Sequence, residues 1–173
     1  RERYSGKIYW AINKPEDITS LPVWIKYTDG VYLLWNKSFM PAKANNSPIT
    51  SADLADLINT QVNKLGENTK LPIMLRINIP SANGVLENCL GEKKTCSPIP
   101  WAEYSYMNSG SKTNLAEQTK VLNLYLNAIN KLNNITGVVV SGYNPFLRIQ
   151  DNTSSLHGKP GVNSVYFWYT SWT

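Results

Sequence analysis

The sequence contains few of the residues on which metal proteins and many enzymes depend. It has one histidine, His157, and two cysteines, and Asp, Glu, Lys and Arg together make up only 17% of its 173 residues. Structural zinc sites take four Cys or His ligands, so we expect no bound metal and no cofactor. The chain also lacks phosphate-binding and dinucleotide-binding glycine motifs and the Gly-x-Ser-x-Gly turn of serine hydrolases.

Long apolar runs are missing as well. None approaches the roughly 18 consecutive apolar residues that a membrane-spanning helix needs, so we expect no transmembrane segment. The hydrophobic content of 42% is nevertheless that of a folded protein and not of a disordered one. A chain of 173 residues suits a single globular domain covering residues 1–173.

The positive charge is not concentrated as it is in nucleic-acid-binding proteins. The net charge of +5 comes from 17 Lys and Arg residues against 12 Asp and Glu. The densest internal basic stretch is the pair Lys93-Lys94. Nucleic-acid binders gather basic residues on one face. We therefore interpret the lysines as a solvated surface and expect no nucleic-acid partner.

The two cysteines lie in one polar loop. Cys89 and Cys96 flank Gly91, which allows a tight reversal, so we predict a disulfide bond between them. Two free thiols are the alternative. Disulfides persist in oxidising compartments. Because the chain starts at Arg1, a secretory signal could have been removed, and we predict a secreted or otherwise extracytoplasmic protein.

Two segments have the apolar spacing of amphipathic helices, at about residues 51–65 and 115–132. Asn114 is a natural N-cap for the second, with Glu117 expected to reach back to the cap amide. Each helix is followed by an apolar segment typical of a buried strand, at 71–79 and 138–140. The stripe residues are Leu54, Leu57, Ile58, Val62 and Leu65 in the first helix and Leu115, Leu122, Tyr125, Leu126, Ile129 and Leu132 in the second.

Further strands are predicted at both ends of the chain. Asp29-Gly30 is the pair that a two-residue type I′ turn prefers, so residues 23–36 are predicted to form a hairpin in which Trp24 faces Trp35. The aromatic segment 164–172 is predicted to be a closing strand. The expected fold is α+β or mixed α/β, with a mixed sheet of about five to seven strands, two main helices and an N-terminal β-hairpin.

The helix-strand unit occurs twice, at 51–79 and 114–142, and the two units resemble fragments of glycosidase barrels. A complete eightfold barrel takes roughly 200 residues or more, so the chain is short for one.

Polar residues follow both predicted buried strands. Ligands of open α/β sheets lie beyond the carboxyl ends of the strands. If the two strands are parallel, Asn83, Tyr143 and Asn144 share one edge, and the loop of Trp101 and Tyr104 could close over it. Rings that stack on sugars and amides that bond hydroxyls would make this a glycan site. The alternative is that these residues mark ordinary turns.

Carboxylate catalysis has three candidates. Glycoside hydrolysis needs two carboxyl groups about 5 to 9.5 Å apart, which sequence spacing does not report. Glu103, Glu87 and Asp151 lie in loops or at the ends of elements, and Glu103 is the best of them because Trp101 and Tyr104 lie beside it. Ordinary solvated carboxylates are the alternative.

These features favour binding over chemistry. We predict a secreted or surface-exposed binding domain, adhesin-like, with a glycan or another cell-surface partner. Whether it is an enzyme stays open, and if it is one we expect a hydrolase acting on glycans with a carboxylate pair. A third hypothesis is a structural subunit of an extracellular assembly that uses the Trp24/Trp35 face as a contact. The alternative for this pair is that both rings pack within the molecule. The sequence predicts no oligomeric state.

Overall fold

A four-stranded parallel sheet organises the chain. The computed structural model describes residues 5–20, 26–35, 50–87, 112–146 and 148–172. All neighbouring strands are parallel, and their order in the sheet is their order in the chain. The strands are β1 (Tyr9–Ile12), β2 (Gly30–Leu34), β3 (Ile73–Ile77) and β4 (Gly137–Val140).

Helices occupy the connections between strands. A short 3₁₀ helix follows β1, α1 links β2 to β3, α2 links β3 to β4, and α3 follows β4. Neither α1 nor any other described helix is long and apolar enough to cross a membrane. The bounds are Pro15–Ser20 for the 3₁₀ helix, Ser51–Asn68 for α1, Leu115–Ile129 for α2 and Gly161–Ser171 for α3.

The start of α1 is fixed by side-chain capping. The N–H of Asp53 donates to Thr50 Oγ1 at 3.2 Å, and the N–H of Thr50 donates to Asp53 Oδ2 at 2.8 Å. These two bonds satisfy amides that have no partner within the helix. The sequence therefore marks the first turn of α1 by itself.

The helices form one layer on one face of the sheet. The 3₁₀ helix packs against α1, α1 against α2, and α2 against α3. Right-handed crossovers between sequentially ordered parallel strands place every helix on the same side. The core lies between this layer and the sheet, and its buried side chains include Ile12, Val31, Leu33, Leu75, Ile77 and Val138 from the strands and Leu54, Ile58, Val62, Leu65, Leu122, Tyr125 and Ile129 from the helices.

The predicted mixed sheet of about five to seven strands with an N-terminal hairpin is wrong. Gly30 does not turn the chain back; it begins β2, which runs parallel to β1 and pairs with Tyr9. Asp29 is bonded to the residue before β1, because its N–H donates to Ile8 O and its carboxylate accepts from Ile8 N–H, each at 2.7 Å. Gly30 is needed for space, since a Cβ there would collide with the Tyr9 ring.

Trp35 packs in the core, which agrees with the alternative to a Trp24/Trp35 contact face. Trp35 is 3% exposed and lies edge-to-face against Tyr125 of α2, with ring centroids 6.1 Å apart. Trp24 lies outside the described residues. A tryptophan buried in the core offers no surface to another protomer, so this face gives no support to an assembly subunit.

The closing segment, predicted as a strand, is the helix α3. Trp168 is buried, stacks on Trp172 with centroids 4.5 Å apart, and donates from Nε1 to Asn130 Oδ1 at 2.9 Å. The four-residue spacing of the two rings puts them on one helix face. Packing against α2 therefore overrides the strand preference of aromatic residues.

Candidate functional site at the carboxyl edge of the sheet

Three segments meet at the carboxyl edge of the sheet. β3 and β4 are adjacent and parallel, so the residues that follow them, 78–84 and 141–144, lie at the same edge. A third segment, 150–160, joins them: Ser81 N–H donates to Thr153 O at 3.0 Å, and Asn144 N–H donates to Ser155 Oγ at 3.1 Å. The parallel arrangement on which the glycan-site hypothesis depended is therefore present.

Gly142 lets these segments approach each other. Its φ is +97°, a conformation that L side chains rarely adopt. A Cβ there would lie 2.7 Å from Ser154 Oγ and 3.1 Å from Asn78 Oδ1. Any larger residue would strain the backbone and push the 150–160 segment away from β4.

A buried lysine ties the 150–160 segment to the end of β3. Lys159 is 1% exposed. Its ammonium donates to Asp151 Oδ1 at 2.7 Å, Ser81 Oγ at 2.9 Å and Thr153 O at 3.1 Å. An ammonium has three N–H groups, so all three are used. Removing any one acceptor would leave a buried charge poorly satisfied.

Asp151 is held as an anion by the same contacts. Burial by itself would raise its pKa, but hydrogen bonds from Lys159 and Thr153 together outweigh burial and hold the pKa below its ordinary value. Burial lowers the pKa of Lys159, and the Asp151 carboxylate opposes that change. A general acid needs a raised pKa, so this environment suits a structural counterion better than a proton donor.

The lowered pKa predicts how the pair responds to acid. The folded state keeps Asp151 ionised where the unfolded state binds a proton, so its contribution is complete above the unfolded pKa of about 3.9 and is lost as the pH falls through the lower folded pKa. We expect the stability gap between wild type and Asp151→Asn to narrow between about pH 5 and pH 2. Urea denaturation at a series of pH values measures it. Asp56→Asn, which changes an exposed carboxylate on α1, is the control. A difference in stability between wild type and Asp151→Asn that does not change with pH would contradict the prediction.

Asn83 lies at the rim of this edge. It is exposed, and its Oδ1 accepts from Asn114 Nδ2 at 2.8 Å. Asn114 caps α2 as predicted, since its Oδ1 accepts from Glu117 N–H at 3.0 Å. Glu117 does not accept from the backbone N–H of Asn114, which donates to Ser81 O. Its Oε1 accepts from the Asn114 side-chain amide at 2.7 Å, and its Oε2 accepts from Gly84 N–H at 2.8 Å. Glu117 thus holds the turn that presents Asn83.

Tyr143 and His157 form an exposed ring pair beyond β4. Tyr143 is 64% exposed, its hydroxyl lies 3.1 Å from His157 Nδ1, and the two rings meet edge-to-face with centroids 5.6 Å apart. Asn144 Oδ1 accepts from the N–H of Phe146 at 3.0 Å, which orients the amide, and Phe146 itself is 93% exposed. The end of β4 therefore presents apolar ring surface beside amide groups.

The remaining predicted residues divide into two groups. Glu87 is half-buried and closes the turn after β3. Five others lie outside the described residues, so their roles and the predicted disulfide remain predictions: Trp101, Glu103, Tyr104, Cys89 and Cys96.

The Lys159 cluster was not foreseen from the sequence. The segment 151–156 looks like a polar surface loop, yet all six of its residues are buried. One local signal was available: Asp151-x-Thr153 is a spacing at which the carboxylate accepts from an amide two residues on, here at 2.9 Å. Nothing local connects Lys159 to Ser81. Within the described ranges no group of three or more His, Cys, Asp or Glu could hold a metal ion.

Comparison with known proteins finds a similar fold in structures of β-mannanases. No protein-family model and no curated protein sequence matches the chain. Two structures of GH113 β-1,4-mannanases match 99% of the chain with TM-scores of 0.62 and 0.64 at 12% and 14% identity. The GH113 β-mannanase from Alicyclobacillus acidocaldarius, in complex with ManMIm, matches 98% of the chain with a TM-score of 0.63 at 15% identity.

These matches concern the fold alone, because the identities are low. The chain spans about half the length of the mannanases, covering 47% to 48% of each. The fold of this chain is therefore similar to part of each mannanase structure.

Proposed function

We propose that this protein acts on glycans and binds them at the carboxyl edge of its sheet. The observation that carries the proposal is the fold shared with β-mannanases over nearly the whole chain. The edge itself supports it, because exposed rings and amides lie where α/β folds bind their ligands. An extracytoplasmic location remains part of the proposal and rests on Cys89 and Cys96.

The binding groups have separate roles. Tyr143 offers ring surface to the apolar face of a sugar, and Trp101 and Tyr104 add further rings. Asn83 and Asn144 offer amide groups to sugar hydroxyls. The turn that Glu117 holds and the 150–160 segment that Lys159 holds give these groups fixed positions, which reduces the entropy cost of binding.

Hydrolysis of a glycosidic bond is the reaction that we propose for this edge. It requires one carboxyl group as acid and a second as base or nucleophile. Glu103 and Glu87 are the candidates within this chain. Asp151 is a weaker candidate, because it is buried against Lys159 with a lowered pKa.

The binding site is tested by titration. We expect Tyr143→Ala and Asn144→Ala each to weaken binding of manno-oligosaccharides, or of the ligand that a glycan array selects, by about tenfold or more, equivalent to ~1.4 kcal/mol. Trp101→Ala is expected to act in the same direction. Tyr166→Ala removes an equally exposed ring, also 64% exposed, from α3 and should leave affinity unchanged. Calorimetry measures the affinity of variants whose circular dichroism spectra match that of the wild type. Unchanged affinity in all three site variants would exclude this edge as the glycan-binding site.

Labelled glycans separate hydrolysis from binding. Product release by wild type that Glu103→Gln or Glu87→Gln abolishes, with affinity retained, would support the hydrolase. Binding with no product release by the wild-type chain would reject it.

A glycan-binding domain without catalysis is the second candidate, and one observation favours it. Among the residues that the structure describes at this edge, Glu117 is bonded to the 83–87 turn and Asp151 to Lys159, so neither of these carboxylates is presented for chemistry. The half-buried Glu87 is then left without a second presented carboxylate among the described residues. An edge without a presented carboxylate pair would bind sugars and leave them intact, as an adhesin does.

A further inference from the structure

The second face of the sheet differs sharply from the face that packs on the helices. The described helices pack on the other face. The strand side chains of the second face are half-buried, apart from the exposed Ala11, whereas most strand side chains on the helix side are buried. We call it the open face; its strand residues are Tyr9, Ala11, Tyr32, Leu34, Met74, Arg76 and Val139.

Side chains on the open face are arranged as in a packed interior. A Cβ at Gly137 would lie 2.9 Å from Met74 Cε, so the Met74 side chain lies flat across Gly137 on the neighbouring strand. The Tyr9 ring lies over Gly30 in the same way. Large side chains that fill the space above glycines are typical of tightly packed sheet interiors.

The edge strands β1 and β4 each have one strand partner among the described residues. In the described part of the chain, β1 pairs only with β2, and β4 pairs only with β3. Unpaired edge strands leave backbone N–H and C=O groups that can pair with another strand. Parallel strands are normally covered on both faces, because their side chains on both sides are apolar.

An eight-stranded α/β barrel would cover the open face and pair both edge strands. Four parallel strands in sequential order, with every helix outside, form half of an eight-stranded α/β barrel. A second four-stranded half would pair one of its edges with β4 and the other with β1, and its inner side chains would fill the space above the open face. The mannanases contain such additional length, since this chain covers at most 48% of each.

The positive charge of Arg76 indicates which second half is compatible with the open face. It is the only charged residue among the strand side chains of the open face. In a twofold pair of identical halves, β3 would face β3 across the barrel, and Arg76 would approach Arg76 with no carboxylate on either face. Like charges brought together cost energy, whereas an opposing carboxylate would pair with the guanidinium.

We propose that the open face binds a second four-stranded parallel α/β half that differs from this chain and carries a carboxylate opposite Arg76. The occupant is a protein half and not a second copy. This inference does not use the residues proposed to bind glycans, because it rests on the side chains of the open face and on the edge strands β1 and β4.

A charge-reversed copy of the chain serves as the probe for the missing half. Arg76→Glu supplies the carboxylate on an otherwise identical face, so we expect an equimolar mixture with wild type to form a 1:1 complex while each protein alone stays monomeric. Light scattering after size exclusion measures the mass. The complex should weaken with salt, since the Debye length falls from about 10 Å at 0.1 M to about 3 Å at 1 M.

Hydrogen exchange locates the contact, because amides of β1 and β4 should become protected only in the mixture. Lys120→Glu, which reverses an exposed charge on α2, is the control and should not associate with wild type. A mixture that stays monomeric, with both proteins folded by circular dichroism, would overturn the proposal. So would a wild-type dimer with protected β1 and β4 amides, which would make the occupant a second copy.

Discussion

Replacing Lys159 with methionine is expected to cost about 3–5 kcal/mol of the free energy of unfolding, the range found when one partner of a buried ion pair is removed. Methionine fills similar space without the charge, so the loss reports the polar contacts and not a cavity. The variant leaves the Asp151 carboxylate buried without its cation and deprives Ser81 Oγ and Thr153 O of a donor. An unpaired buried charge is the main source of the cost.

Urea denaturation of two further proteins completes the test. Lys120→Met removes an exposed lysine on α2 and should change stability by less than about 0.5 kcal/mol. The double variant Lys159→Met with Asp151→Asn should be more stable than Lys159→Met alone, because it removes the orphaned charge as well. If Lys159→Met and Lys120→Met are equally stable, the cluster is not what holds the 150–160 segment.

The second large effect is expected at Ile129, where truncation to alanine should cost about 2–5 kcal/mol. Ile129 is 1% exposed and belongs to the core between the helix layer and the sheet. Removing three carbons there loses apolar burial and leaves a cavity that the surrounding helices fill only in part.

Lys131→Ala is the neighbouring control. Lys131 is exposed just beyond the end of α2, so its removal should cost little. Chemical denaturation compares the two variants, and equal stability would mean that the apolar stripe of α2 does not face the core.

Local patterns predicted the regular elements well where the pattern was long. The stripe of Leu54, Ile58 and Val62 predicted α1, and all three side chains are buried. The end of α2 was predicted too late, at 132 instead of Ile129, and the end of α1 too early, at 65 instead of Asn68. Apolar periodicity locates the centre of a helix better than its ends, which fray or are capped by contacts elsewhere in the fold.

Two local signals misled because a tertiary contact competed with them. Asp29-Gly30 suits a type I′ turn, but the position of Tyr9 requires a glycine at the same place for space. The aromatic segment 164–172 suits a strand, but Trp168 and Trp172 stack as neighbours on one helix face. In both cases the residue type had a structural reason, but the sequence did not show which residue it contacts in the fold.

The candidate site also combines residues that the sequence predicts with a contact that it does not predict. Asn83, Tyr143 and Asn144 were predicted at one edge from the strands that precede them, on the condition that those strands are parallel, which they are. The Lys159 cluster joins Ser81 to a residue 78 positions away, and no local pattern reports such a contact.

By itself, the sequence determined the positions of α1, α2, β3 and β4, because each depends on apolar spacing and caps within a few residues. Only the tertiary structure decided that all four strands are parallel, that the helices form one layer, and that Lys159 is buried beneath the carboxyl edge. Strand pairing and buried ion pairs join residues that are far apart in the chain, and their energies depend on which surfaces meet when the chain folds.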